Sequence, residues 1–344
     1  MKKTGLILSA LILISLSSAF AQTTKSLYKI ADKIHLESDG GWDYLTMDDA
    51  TNRLYISHGM IVQVLDVNNK KVAGTIPDTK GVHGITLARD LNKGFISNGR
   101  DTSVTVFDLK SLQVITKVKV TGNNPDAILY DPFSHKVFTF NGRSSNSTVI
   151  DAASNKVTGT IDLPGKPEFS VTDGKGKIYV NIEDKSQVCM INPVTLKVEK
   201  TWSVAPGEEP SGLAIDTRNH RLFAVCGNKL MIVLDADDGK VIAKLDIGDR
   251  VDGVAFDPGL QRAYSSNGEG TMTVVQEVDK DTFKVLENFP TLKGARTITL
   301  NPKTHRIYMP FAEFGEAPAA TPENPRPRPA IKPGTFTILE VEPF

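Results

Sequence analysis

The 344-residue chain has little of what usually marks a chemistry. It carries two cysteines, Cys189 and Cys226, too few for a disulfide scaffold and too few to build a metal centre on thiolates alone. No Gly-x-Ser-x-Gly elbow, phosphate-cradling glycine loop or Cys-x-x-Cys pair occurs, so serine-hydrolase, P-loop and dithiol readings lack their local signatures. Neither sign of charge dominates: 40 Lys and Arg stand against 40 Asp and Glu, with no run of like charge. The basic footprint of a nucleic-acid binder is missing, and no nucleic-acid partner is expected. After the first 21 residues no segment sustains a helical period. What remains, 40% hydrophobic and 23% charged, is ordinary globular composition.

The N-terminus reads as a leader. Lys2 and Lys3 form a basic start, an apolar run extends from Leu6 to Leu16, and Ala19-Phe20-Ala21 is a small-x-small cleavage site. Residues 1–21 are therefore expected to be a signal peptide, with the mature chain beginning near Gln22 in the periplasm or outside the cell. The apolar run is short for a bilayer span, and no membrane span is expected after cleavage. Loss of Lys2 and Lys3 leaves 38 basic residues against 40 acidic ones. In an oxidising compartment Cys189 and Cys226 could pair, or remain as small buried hydrophobes.

Residues 22–344 read as one repeat array. A basic residue, any residue and an aromatic recur as Arg53-Leu54-Tyr55, Lys93-Gly94-Phe95, Lys136-Val137-Phe138, Lys177-Ile178-Tyr179, Arg221-Leu222-Phe223, Arg262-Ala263-Tyr264 and Arg306-Ile307-Tyr308, at spacings of 40, 43, 41, 44, 41 and 44. Around each copy lie four short apolar or alternating runs bounded by Gly, Asp or Asn. In the fifth unit these are 211–216, 221–226, 230–234 and 241–247. Four strands per unit of this length predict an all-β, seven-bladed β-propeller of four-stranded blades. The seventh unit supplies only three strands, 297–300, 306–310 and 335–341. The segment 29–36 matches the missing fourth when set against 240–247. The N-terminal strand is thus expected to join the last blade and close the ring.

Third strands ending in hydrophobic-x-Asp, such as Val64-Leu65-Asp66 and Val149-Ile150-Asp151, and openings such as Pro125-Asp126-Ala127-Ile128 and Pro210-Ser211-Gly212-Leu213, carry a resemblance. Over essentially the whole mature chain the sequence resembles the YVTN-repeat, YncE-like propellers. The resemblance implies a periplasmic or surface-layer propeller. Relatives of similar fold include lactone-hydrolysing enzymes, and one periplasmic member binds single-stranded DNA.

Aligning the repeats identifies the residues at the top of the central channel. The starts of the first strands carry Asp43, His83, Asp126, Glu168, Ser211, Asp252 and Arg296; the ends of the second carry His58, Asn98, Asn141, Ile182, Cys226, Asn267 and Phe311. Arg100 and Arg143 follow in adjacent units and could grip an anion bidentately. Trp42, beside Asp43, could stack on a ligand or fill the core. The mouth is the candidate ligand site, formed by Asp43, His83, Asp126, Glu168, Asp252, Arg296, Arg100, Arg143, His58 and Trp42. No cofactor follows from any motif, although the carboxylates and His83 could take a divalent cation. The leading expectation is a monomeric exported binding or scaffold protein for a small molecule or a protein. A lactonase-like hydrolase or lyase using the same mouth, and an interaction platform with an inert channel, are the alternatives. A Pro-rich insertion, residues 311–334, interrupts the seventh unit and is expected to cover the mouth, with Arg326 or Arg328 facing the acidic ring.

Overall fold

A computed structural model describes residues 25–38, 40–321, 327 and 329–344. The leader, Arg326 and Arg328 lie outside the described residues. Seven four-stranded antiparallel sheets make up the described fold, each running from an inner strand to an outer one. The inner strands are Trp42–Asp48, Val82–Ala88, Pro125–Asp131, Pro167–Thr172, Pro210–Asp216, Val251–Asp257 and Thr299–Asn301. Each touches the inner strand of the next blade, and the last touches the first, so the blades form a closed ring.

The ring is fastened as the repeat count requires. Strand Tyr28–His35 pairs antiparallel with Thr337–Pro343, from Tyr28 opposite Pro343 to His35 opposite Thr337. It becomes the outermost strand of the seventh blade. The Tyr28 hydroxyl also reaches the sixth blade, 2.9 Å from the Tyr264 hydroxyl and 2.8 Å from Nη1 of Arg262. One N-terminal residue thus ties blade 7 to blade 6.

Turn chemistry sets the blade spacing. At the foot of the inner strands Asp48, Asp131, Asp216, Asp257 and Asn301 accept backbone N–H groups from the turn that follows, the local bond that makes Asp and Asn good turn formers. These turns end on a residue in the left-handed region, Asn52, His135, His220, Gln261 and His305, as does the blade 2 turn at Asn92. The second strand comes next, and in every blade but the fourth, where it begins one residue later at Ile178, it starts on the basic residue of the recurring motif. Its aromatic partner two positions on is buried in every blade, Tyr55, Phe95, Phe138, Tyr179, Phe223, Tyr264 and Tyr308 all being 0–1% exposed. The apolar core is divided among seven clusters, for the most part at the seams between neighbouring blades. At one seam Tyr55 of blade 1 meets Phe107 of blade 2 at 5.8 Å between ring centroids.

The 311–334 insertion begins as an ordered ribbon. Gly315 donates to the carbonyl of Ala330 at 2.8 Å, Lys332 donates to that of Glu313 at 2.8 Å, and Phe314 bridges Ile331. Phe314 sits 6.0 Å from the ring of Trp42, which Phe336 also covers at 5.5 Å. The base of the insertion therefore rests on the seam between blades 7 and 1.

A candidate ligand site at the channel mouth

The register explains how the mouth is built. Trp42 pairs with His58, Val82 with Asn98, Pro125 with Asn141, Pro167 with Ile182, Pro210 with Cys226 and Val251 with Asn267. Immediately after each pair the register breaks. Such a bulge bends a strand and re-aims its side chains. In all six blades the residue after the pair is one of the ring positions, Asp43, His83, Asp126, Glu168, Ser211 and Asp252.

Three of these converge. Nδ1 of His83 lies 2.7 Å from Oδ2 of Asp43 and 3.5 Å from Oδ1 of Asp126. One donor atom from each residue falls within 4.8 Å of the other two. Asn124 donates to Oδ2 of Asp126 at 3.5 Å. On one flank Arg296 pairs with Asp252, reaches Oδ1 of Asp43 at 3.8 Å and donates to the Trp42 carbonyl at 3.3 Å. On the other, Lys166 pairs with Glu183 and lies 3.4 Å from Oε2 of Glu168. Oε2 of Glu168 is buried, with Lys166 as its charge partner.

The electrostatics follow from this crowding. Burial raises Asp126 to about 6, and the charge of Asp43 adds to the rise against the opposing pull of His83. Glu168 rises to about 7, first through burial and then through the charge of Asp126. For His83 burial disfavours the charged ring, but the hydrogen bond to Asp43 and the nearby carboxylates outweigh it, and its pKa lies above the usual value. Like charges in a partly dry site oppose each other's ionisation.

A floor closes beneath the ring. Tyr44 and Phe169 directly follow Asp43 and Glu168, and their rings meet at 5.1 Å and 62° across the channel. The equivalent residues elsewhere are Gly84, Ala127, Gly212, Gly253 and Thr297, so two aromatics occupy space that small side chains leave. A β-carbon at Gly212 would approach the backbone of the next blade to 3.0 Å. The phenol of Tyr44 is held well above its usual pKa by burial and by the charges of Asp126, Glu168 and Asp43.

Other predicted residues take different places. Trp42 is 9% exposed and packs beneath Phe314 and Phe336. His58 is buried, with Nδ1 2.6 Å from the Ser38 hydroxyl, Nε2 3.1 Å from the Gly40 carbonyl and its ring stacked on Phe336. Both belong to the scaffold at the blade 7–1 seam. Arg100 and Arg143 are exposed at the rim, with no acidic partner among the described residues. The side chain of Arg100 lies over Gly81. Asn98, Asn141 and Asn267 are buried, and each side chain bonds a hydroxyl of its own blade. Cys189 and Cys226 are free thiols buried in separate clusters. Sequence reasoning placed Glu183 beside the mouth without assigning it a role, and missed Lys166, Asn124, Tyr44 and Phe169. The aromatic pair was visible as a break in the small-residue column of the repeat.

A cavity of about 350 Å³ opens at the opposite end of blades 5–7 between Ile215, Asp216, Phe256, Pro258, Leu300 and Pro302. It contains none of the mouth residues.

Comparison with known proteins gives the fold a context. No family model matches the chain. Two curated proteins, each called uncharacterized protein YncE, from Salmonella typhi and from Salmonella typhimurium strain LT2, are 26% identical to it over 149 residues. The match covers 41% of this chain and 42% of theirs, so it spans about two fifths of the relatives' length. Among solved structures, a chain of Kuenenia stuttgartiensis hydrazine synthase superposes with a TM-score of 0.70 at 17% identity, covering 80% of this chain and 94% of that one. A chain of the mitotic checkpoint complex gives 0.71 at 12% identity, covering 99% and 98%. These structural likenesses concern the fold alone. Seven four-stranded blades, closed by an N-terminal strand, make the chain a seven-bladed β-propeller, and over about two fifths of its length its sequence is similar to the YncE proteins.

Proposed function

We propose that the protein is an exported binding protein that takes a small positively charged ligand at the top mouth of its channel. The observation that carries this reading is the imbalance of charge among the paired groups of the inner ring, inside the exposed rim arginines Arg100 and Arg143. Asp43, Asp126, Glu168, Glu183 and Asp252 face two permanent cations, Arg296 and Lys166, and each cation is shared between two carboxylates. Asp126 has only His83 and Asn124. A cation entering from solvent would satisfy groups that the fold leaves in mutual opposition. The Tyr44–Phe169 floor limits the ligand to the upper chamber. Export rests on the leader at residues 1–21.

The test is the melting temperature of the mature chain with a panel of small organic cations, divalent metal salts and small anions at constant ionic strength. Binding to the native state raises it by mass action. The reading predicts a rise with at least one class of cation and none with anions. A response to anions alone would overturn it.

The hydrogen bond between Asp43 and His83 supports a second reading. A carboxylate that orients an imidazole through one nitrogen leaves the other as a general base, and a lactonase-like hydrolysis would place water at Nε2 of His83, the nitrogen that Asp43 does not hold. Lactone turnover that survives His83→Gln would rule it out.

A further inference from the structure

Resting on the cation-binding reading of the mouth, we infer that the ligand held by Asp43, His83 and Asp126 is a first-row divalent transition-metal ion. The three residues come from the first three blades and present one imidazole nitrogen and two carboxylate oxygens to a common point. Donors bound to one ion at about 2.0–2.2 Å stand roughly 3.0–3.5 Å apart in octahedral or tetrahedral arrangements. His83 Nδ1 lies 2.7 Å from Asp43 and 3.5 Å from Asp126, and all three donors fall within 4.8 Å of one another, so the two histidine spacings bracket that range.

The chemistry of the donors selects the class of ion. Calcium and magnesium favour oxygen alone, whereas imidazole suits manganese-to-zinc ions and carboxylates broaden the set toward manganese and iron. Outer contacts of the kind that orient metal ligands are present. Arg296 lies 3.8 Å from Asp43, and Asn124 holds the second oxygen of Asp126 at 3.5 Å. The buried Oε2 of Glu168 in the fourth blade, 3.4 Å from Lys166, is a further oxygen donor near Asp126. Nε2 of His83 faces Gly99, where a β-carbon would come within 2.7 Å of it. Glycine at that position leaves room for the ring to turn Nδ1 into the mouth. Three protein ligands on the channel side leave positions open toward solvent for water or a small anion.

The experiment is a titration of the mature, EDTA-treated chain with CoCl₂ and ZnCl₂, read by calorimetry and by the visible spectrum of bound cobalt, with CaCl₂, MgCl₂ and spermidine in parallel. The inference predicts one cobalt or zinc ion per chain, bound at least tenfold more tightly than calcium or magnesium. His83→Gln and Asp126→Asn should each weaken it on the order of 100-fold while keeping the metal-free melting curve. Gly99→Ala, which leaves every donor in place, should weaken it by a smaller factor. Metal binding untouched by both donor variants, or calcium preferred over cobalt, would overturn the inference. Stabilisation by spermidine with no response to any metal would overturn it and leave the cation-binding mouth standing. No response to any cation would remove both.

Discussion

Tyr44 of blade 1 and Phe169 of blade 4 meet edge-on across the channel, 5.1 Å between ring centroids. They join opposite sides of the ring beneath the acidic mouth, where neighbouring blades supply only small residues. A double-mutant cycle with Tyr44→Ala and Phe169→Ala should give a coupling of about 0.5–1.5 kcal/mol, the range of such aromatic pairs. Additive losses in chemical denaturation would show that the rings do not support each other.

On the third strand of blade 6, at the end away from the mouth, Glu277 stands where the repeat places Val67, Leu109, Ala152 and Ala236. It is 2% exposed, and burial, followed by the charge of Asp216, raises its pKa to about 7. Its folded-state pKa exceeds the unfolded value, so the folded state binds the proton more tightly. The stability it contributes is full below about pH 4.5 and is lost as pH rises through about 7. Glu277→Gln should therefore be close to neutral at low pH and stabilising by roughly 1–3 kcal/mol above pH 7. Equal pH profiles for the two proteins in urea denaturation would contradict this account of the blade 5–6 seam.

Ring closure depends on Tyr28 as well as on strand pairing. Its buried hydroxyl serves Tyr264 and Arg262. Tyr28→Phe should cost about 1–2 kcal/mol, because those partners lose a hydrogen bond in a dry seam. An unchanged denaturation midpoint would mean that the backbone ladder alone holds the closure.

Both thiols should be inert in the native state. Burial pushes Cys189 and Cys226 up to about 12, and a thiol rather than a thiolate is a poor nucleophile. A disulfide exchange reagent should modify neither until denaturant is added, and then modify two per chain. Rapid native labelling would show that one of these strands opens.

Much of this fold was legible because its signals repeat. Seven basic-x-aromatic motifs sit on seven second strands, and the missing fourth strand of the last blade is found at the other end of the chain. Boundaries shifted by a residue or two: the closing strand runs Tyr28–His35 rather than 29–36, and blade 7 pairs its inner strand only at Thr299–Asn301. Thr297 instead turns to the neighbouring blade and donates to the Asp43 carbonyl at 2.8 Å. The site was less legible. Repeat alignment placed Asp43, His83 and Asp126 at one height, but height alone does not say which side chains meet. His58 aligns with the mouth yet turns inward onto Phe336, because the insertion and the strand it leads into cover that blade. Lys166 and Glu183 lie in loops whose reach depends on three-dimensional course.

The central claim is that the mouth carboxylates are kept for a cation and not for the fold. It is tested most directly by the melting temperature of the Asp43→Asn, Asp126→Asn double variant beside the wild type, in chelator-treated buffer and again with the stabilising cation. The account predicts that the ligand-free variant melts at or above the wild type, since two opposed charges are removed, and that the added cation raises only the wild type. A ligand-free variant that melts well below the wild type, with the cation response preserved, would show that these carboxylates hold the ring together and that the cation binds elsewhere.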